Sequence, residues 1–161
     1  MGNISATATF TALFAAIIAA APAHAEDARW TSWQGTWHLN KTETHYPPGV
    51  HVTSNDLVVS KDDGNTLEYV ETVVNDGQTQ VQPYKGAYDG KFYDVGNDEV
   101  MSFKHLGKNS YLAIRHDKNG FLLERSTFVL SNGGKKLTCH AWAQRPGGKP
   151  VKFDEIFDKA E

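Results

Sequence analysis

Glycines that recur at a fixed interval divide this chain into short segments. Asp63-Gly64, Asp76-Gly77 and Asp89-Gly90 follow one another at a spacing of 13 residues. Asp-Gly pairs favour tight hairpin turns, because glycine adopts the positive φ angles that such turns require. Further glycine turns follow at Gly120, Gly133-Gly134 and Gly147-Gly148. The spacing predicts a meander of short antiparallel β-strands.

Ten segments between these turns have the composition of β-strands. The predicted strands are residues 32–40, 56–61, 67–74, 80–88, 91–95, 99–105, 111–116, 121–130, 136–144 and 151–157. Residues 41–52 are predicted to be an irregular loop, because Pro47-Pro48-Gly49 cannot join a central strand. Pro83 requires a bulge or a free edge in its strand. Only residues 26–30 are a candidate for a helical turn.

Ten strands in hairpin order leave two sheet edges exposed unless the sheet closes on itself. We therefore predict an all-β fold, an antiparallel up-and-down β-barrel of about eight to ten strands. A flattened β-sandwich is the alternative, since the rhythm of strands and turns does not separate the two.

The first 25 residues have the pattern of a secretory signal peptide. They contain no Asp, Glu, Lys or Arg, and a small, apolar stretch from Phe10 to Ala21 precedes Ala23-His24-Ala25, an A-x-A cleavage site. An uncleaved membrane anchor is the alternative. We expect residues 1–25 to be a signal peptide and residues 26–161 to form one periplasmic or secreted domain.

Charge and cysteine content restrict the partners of this domain. The chain has 16 Lys and Arg against 19 Asp and Glu, a net charge of −3, and its basic residues form no stripe that would neutralise a phosphate backbone. We expect no nucleic-acid partner and no stable membrane insertion after cleavage. Cys139 is the single cysteine, so no intramolecular disulfide forms, and we expect this thiol to be buried.

Gly35-Thr36-Trp37 resembles the Gly-x-Trp signature of lipocalins, in which the tryptophan packs across the closed end of the barrel. Most of the domain is similar to the lipocalin-like, calycin-type domains that many bacteria export. The similar segments are Gly35-x-Trp37-x-Leu39-Asn40, Tyr46-x-Pro48-Gly49, Tyr88-Asp89-Gly90-Lys91-x-Tyr93, Gly134-Lys135-Lys136-Leu137-Thr138 and Phe157-Asp158-Lys159. The resemblance implies a barrel fold and export. It implies no catalytic residue, because most of these domains have no assigned activity.

A barrel of this size can hold a small ligand where alternate side chains meet inside. The aromatic residues on the predicted strands are candidates for its walls, although each of them could equally fill an ordinary core. Two polar residues, Arg125 and His140, are candidates for orienting the ligand. The predicted ligand-binding residues are Tyr69, Tyr93, Phe103, Tyr111, Arg125, Phe128, His140 and Trp142.

Glu124 and Arg125 are neighbours on one predicted strand, so they point to opposite faces and one of them is expected to face inward. The two faces of this strand are nearly equal in hydrophobicity, so the sequence does not decide between them. An inward Arg125 would predict an anionic group on the ligand, such as a carboxylate. An external salt bridge to a neighbouring strand is the alternative.

Three histidines, His105, His116 and His140, lie on separate predicted strands. A pair converging beside Glu124 or Tyr111 could act as general acid and base in a cofactor-free isomerase or cyclase. No local spacing marks a metal site or a phosphate-binding loop. We expect no metal and no cofactor.

These observations favour a monomeric barrel that binds a small, mainly apolar or amphipathic molecule in its interior. Two alternatives belong to other classes. One is the cofactor-free enzyme that uses the strand histidines. The other is an envelope protein that interacts through its surface and has a fully packed barrel.

The leader gives the first testable prediction. The exported protein should begin near Glu26, because the A-x-A site ends at Ala25. Intact-mass spectrometry of the periplasmic or secreted protein checks this. A mass that includes residues 1–25 would show an uncleaved anchor instead.

Overall fold

A computed structural model describes residues 30–161 of the chain. The expected signal peptide and all but the last residue of the expected helical turn at 26–30 lie outside the described residues. Trp30 itself lies in a bend. No helix within residues 30–161 has the length and apolar character needed to cross a bilayer.

All ten predicted strands are present, with boundaries that differ by a few residues. They are β1 (Gly35–Leu39), β2 (Val52–Asp62), β3 (Thr66–Asn75), β4 (Gln78–Ala87), β5 (Tyr93–Gly96), β6 (Glu99–Gly107), β7 (Ser110–Asp117), β8 (Leu122–Ser131), β9 (Lys136–Ala143) and β10 (Val151–Lys159). A single 3₁₀ turn, Asn132–Gly134, joins β8 to β9. The largest difference is β2, which begins at Val52 rather than at residue 56, directly after the proline loop.

The strands form one antiparallel sheet in the order β4-β3-β2-β1-β10-β9-β8-β7-β6-β5. The first and last strands pair with each other, Trp37 opposite Lys159, and the sheet curls into a nearly closed up-and-down barrel. The predicted barrel is therefore confirmed, and the β-sandwich alternative is wrong. Pro83 lies on β4, one of the two edge strands, as its missing backbone donor requires.

Side chains fill the seam between the two edge strands, β4 and β5. The ring of Tyr84 on β4 packs edge-to-face against Tyr93 on β5, with centroids 6.1 Å apart. Gly86 permits this contact, because a Cβ atom at that position would lie 2.5 Å from the Tyr93 ring. The aromatic contact lets the barrel close without continuous strand pairing at this point.

Two tryptophans close one end of the barrel. Trp33 and Trp37 are both 0% exposed. The Trp37 indole donates to the backbone carbonyl of Trp33 at 2.7 Å, and the Trp33 indole donates to the Tyr88 hydroxyl at 2.7 Å. The Asp62 carboxylate accepts from the Trp33 backbone amide at 3.0 Å. Trp33 therefore lies in a segment that precedes β1 and reaches under the barrel, which is why the first strand begins at Gly35 and not at residue 32.

Lys159 covers Trp37 from the last strand. Its Nζ lies 5.2 Å from the centroid of the indole, a distance at which a cation is attracted to the ring face. Gly35 has a φ of +133°, and a Cβ there would lie 2.6 Å from Cε of Lys159. The glycine of the Gly-x-Trp sequence therefore makes room for the lysine that packs on the tryptophan.

Replacing Trp37 with alanine should destabilise the fold by about 3–5 kcal/mol, because it leaves a cavity in the closed end and an unpaired carbonyl at Trp33. Chemical denaturation measures this loss. Trp142→Ala is the matched control, since that indole is only half-buried on the outer wall, and it should cost less than half as much. Equal losses in the two variants would contradict the assignment of Trp37 to the closed end.

Candidate functional site

The interior of the barrel is open at the end opposite the tryptophans. It contains a cavity of about 900 Å³, whose mouth is formed by the loop after β1, the β3–β4 turn and the β9–β10 loop. Below the mouth, an apolar floor separates the cavity from the closed end. The floor consists of Tyr69, Met101, Phe103, Phe128 and Cys139.

A polar cluster lies in the wall above this floor, on the β2, β3 and β10 side. Its members are Tyr46, Asn55, Glu71 and Glu155, and all four line the cavity. The Asn55 amide donates to Oε1 of Glu71 at 2.8 Å and to Oε1 of Glu155 at 3.3 Å. The Tyr46 hydroxyl donates to the same Glu155 oxygen at 2.5 Å. We call these four residues the carboxylate cluster.

A second polar group stands on the wall formed by β6, β7 and β8. Arg115 donates to Glu99 at 3.1 Å and to Glu124 at 2.6 Å, and the other oxygen of Glu124 accepts from the Ser126 hydroxyl. Burial opposes the charge of Arg115, but the two ion pairs outweigh it and raise its pKa. This arginine therefore stays charged and is already shared between two carboxylates.

The carboxylate cluster contains no cationic side chain. Burial, reinforced by the negative charge of Glu71, raises the pKa of Glu155 from 4.5 to about 8. Burial likewise raises the pKa of Glu71, although the hydrogen bond from Asn55 opposes the shift. At neutral pH the free protein therefore holds a proton on this pair rather than two full negative charges.

Strand alternation explains how these groups come to lie inside the barrel. On β10, Glu155 falls between Phe153 and Phe157, and on β3, Glu71 follows Leu67 and Tyr69 on the inward face. An ionisable residue in an otherwise apolar inward row is the sequence signal for this cluster. We considered an inward ionisable residue on β8 alone, so Glu71 on β3 and Glu155 on β10 were not predicted from the sequence.

The structure separates the predicted ligand-binding residues into four places. Tyr69, Phe103 and Phe128 line the cavity floor. Tyr111 is buried beneath them, where its ring stacks on Trp33 with centroids 5.4 Å apart. Tyr93 lies at the seam against Tyr84.

The remaining predicted ligand-binding residues, Arg125, His140 and Trp142, face outward. They line a shallow groove of about 730 Å³ on the outer wall, where Nδ1 of His140 lies 2.7 Å from Asp154. On β8 it is Glu124, not Arg125, that faces inward, because Glu124 shares a face with the buried Ser126 and Leu130. Arg125 therefore does not face the cavity, and the anionic ligand group that an inward Arg125 would predict has no support from this residue.

The three strand histidines have different surroundings. His105 packs between Tyr88 and Tyr111 near the closed end, with ring centroids at 4.1 Å and 5.1 Å. His116 stacks on Phe92, with ring centroids 4.7 Å apart, and His140 lies in the outer groove. No two of them line the same cavity, so the converging pair that acid–base catalysis would need is not formed.

The cysteine behaves as predicted. Cys139 is buried in the cavity floor, and burial raises the pKa of its thiol, which keeps it in the unreactive protonated form. In residues 30–161, no three His, Cys, Asp or Glu side chains are arranged so that they could hold a metal ion.

Comparisons with known proteins assign no function to the cavity. No protein-family model matches the chain, and no curated protein matches it.

The raised pKa of Glu155 makes the stability of the protein depend on pH. Between pH 4.5 and 8 the folded state keeps a proton that the unfolded chain has released, so the free energy of unfolding falls as pH rises, by up to about 1.4 kcal/mol per pH unit. Glu155→Gln should flatten this decline and be more stable than the parent protein at pH 8. Urea denaturation at pH 5, 6.5 and 8 measures both effects.

Glu68→Gln is the control, because Glu68 pairs with Lys85 on the outer surface of β3 and β4. It should leave the pH dependence unchanged. If Glu155→Gln and the parent protein lose stability in parallel between pH 5 and 8, the carboxyl group does not carry the shifted pKa.

Proposed function

We propose that the protein is an exported, monomeric, lipocalin-like carrier that binds a small, mainly apolar or amphipathic molecule in the open half of its barrel. One observation carries the proposal: the interior cavity of about 900 Å³, with its aromatic floor and a few inward polar groups. Pockets that bury most of a small ligand have this size and this mixture of walls.

The geometry supports binding more than the two alternatives. An envelope protein with a fully packed barrel would have side chains where this cavity lies. A histidine-dependent enzyme would need at least two of the strand histidines in one pocket, and they lie in three separate places. The cavity instead offers enclosure, in which apolar walls remove the ligand from water and the polar groups orient it.

Family membership and location belong to the same proposal. The nearly closed ten-stranded barrel is compatible with a lipocalin-like fold, and Trp37 fills one end of it under Lys159. The pattern of residues 1–25 supports export to the periplasm or the medium. Tyr84 and Tyr93 pack across the seam between the two edge strands and cover part of the unpaired strand edge, which supports a monomer.

Nile red, a neutral apolar fluorophore, tests the binding function. The dye should gain fluorescence when it enters the cavity, and Ala143→Trp should weaken its binding at least tenfold, because Ala143 lines the cavity and the indole would occupy the space. Fluorescence titration gives both dissociation constants.

Ser131→Trp is the matched control, because it adds the same side chain at an exposed position on β8. It should bind the dye as the parent protein does. Absence of binding to the parent protein, or equal binding by Ala143→Trp, would contradict a ligand site in the barrel interior.

A further inference from the structure

The carboxylate cluster leaves hydrogen-bond acceptors without donors inside the cavity. Asn55 is 1% exposed, lines the cavity, and its Oδ1 has no hydrogen-bond partner among the described residues. The orientation of this amide is fixed, because its nitrogen donates to both Glu71 and Glu155. Turning the amide around would place its oxygen 2.8 Å from Oε1 of Glu71, where two acceptors would face each other. A buried acceptor without a donor costs free energy until something supplies one.

The two carboxyl groups add to this excess of acceptors. The hydrogen bonds from Asn55 and Tyr46 all go to Oε1 of Glu71 or Oε1 of Glu155. No described residue donates to the Oε2 atoms. Once the proton held by the pair has left, Asn55 Oδ1 and the two Oε2 atoms are three acceptors on neighbouring side chains, and a primary ammonium group has three N–H donors.

The charges around the cavity favour a cation at this point. Arg115 makes its ion pairs with Glu99 and Glu124, and although its charge opposes the rise in the pKa of Glu71, burial outweighs it and the pKa of Glu71 stays raised. The other cationic side chains that line the cavity, Arg145 and Lys149, are exposed at the mouth. The charged and titratable groups that line the cavity are Tyr46, Tyr69, Glu71, Glu99, Arg115, Glu124, Cys139 and Glu155, with Asp76, Arg145 and Lys149 at the mouth.

We propose that the ligand of the barrel carries a primary amine, which binds as a cation to Asn55, Glu71 and Glu155 while its apolar body rests on the aromatic floor. This inference rests on the proposed binding function and names the chemical class of the ligand. Tyr46 has a positioning role, because it holds Glu155 through the shared oxygen. The Tyr69 and Phe103 rings, tilted 78° to each other, provide the apolar floor below.

Binding of the cation changes the protonation of the Glu71 and Glu155 carboxyl pair. The carboxyl pair of the free protein holds a proton at neutral pH, and an ammonium ion beside it favours the ionised form. Complex formation therefore releases a proton from the pair to the solvent. The amine enters and remains protonated, so charge is balanced: one positive charge enters the cavity and one leaves it.

Three ligands of equal chain length test the inference by isothermal titration calorimetry: n-octylamine, 1-octanol and octanoate. Octylamine should bind the full domain at least tenfold more tightly than either of the others. At pH 7, its apparent enthalpy should differ between buffers of low and high ionisation enthalpy, because a proton is released. Octanol binding should show no such buffer dependence.

Two variants test the roles of Glu71 and Glu155 in the preference for an amine. Glu71→Gln and Glu155→Gln each replace an ionisable carboxyl group with a neutral amide that keeps an acceptor oxygen, and each should reduce the preference for octylamine over octanol at least tenfold. Both should keep the far-UV circular dichroism spectrum of the parent protein, which shows that the barrel remains folded. Glu68→Gln on the outer surface should change none of these values.

The outcomes separate the two proposals. If octanol or octanoate binds as tightly as octylamine, the amine inference is overturned and the carrier function stands. If none of the three ligands binds, both are overturned. If octylamine is preferred but neither glutamine variant changes the preference, the assignment of the cation to this cluster is wrong.

Discussion

The width of the barrel determines the rest of this structure. When a sheet of ten strands curls on itself, every second side chain must point inward, and a barrel of this circumference is wider than such side chains fill at every level. In the described chain, side chains fill the barrel interior at one end only. Trp33 and Trp37, with the segment that precedes β1, fill the closed end. Among residues 30–161, no comparable side chains fill the opposite end, and the remaining space is the cavity.

The polar side chains in that space are costly for stability. Burying a carboxyl group without a cation is unfavourable, and the protein compensates only part of the cost. Arg115 satisfies Glu99 and Glu124, whereas Glu71 and Glu155 share the donors of Asn55 and Tyr46. Two apolar residues in their place would make a more stable barrel. Groups that reduce stability in a well-formed cavity are typical of sites selected for binding.

Much of the fold follows from local rules in the sequence. The Asp-Gly turns and the alternation between them predicted ten strands, and the need to protect sheet edges predicted closure. The position of Trp33 could not be predicted in this way. Its segment reads as a continuation of β1, but the tertiary contacts with Asp62 and Tyr88 draw it under the barrel.

The candidate site was only partly predictable. Tyr69 and Phe103 lie in largely apolar inward rows, which alternation identifies. β8 was ambiguous, because its two faces are nearly equal in hydrophobicity, and only its pairing with β7 and β9 fixes Glu124 inside and Arg125 outside. The carboxylate cluster combines residues from three strands and a loop, so its geometry emerges only when the sheet closes.

The most direct test is a carboxyl-carbon NMR titration of the protein labelled at the glutamate side chains. The resonance of Glu155, assigned with Glu155→Gln, should titrate near pH 8 in the free protein rather than near 4.5. Saturating n-octylamine should lower that midpoint by at least one pH unit. A midpoint near 4.5 in the free protein, or one that the amine does not move, would contradict a cation-binding cavity in the open half of the barrel.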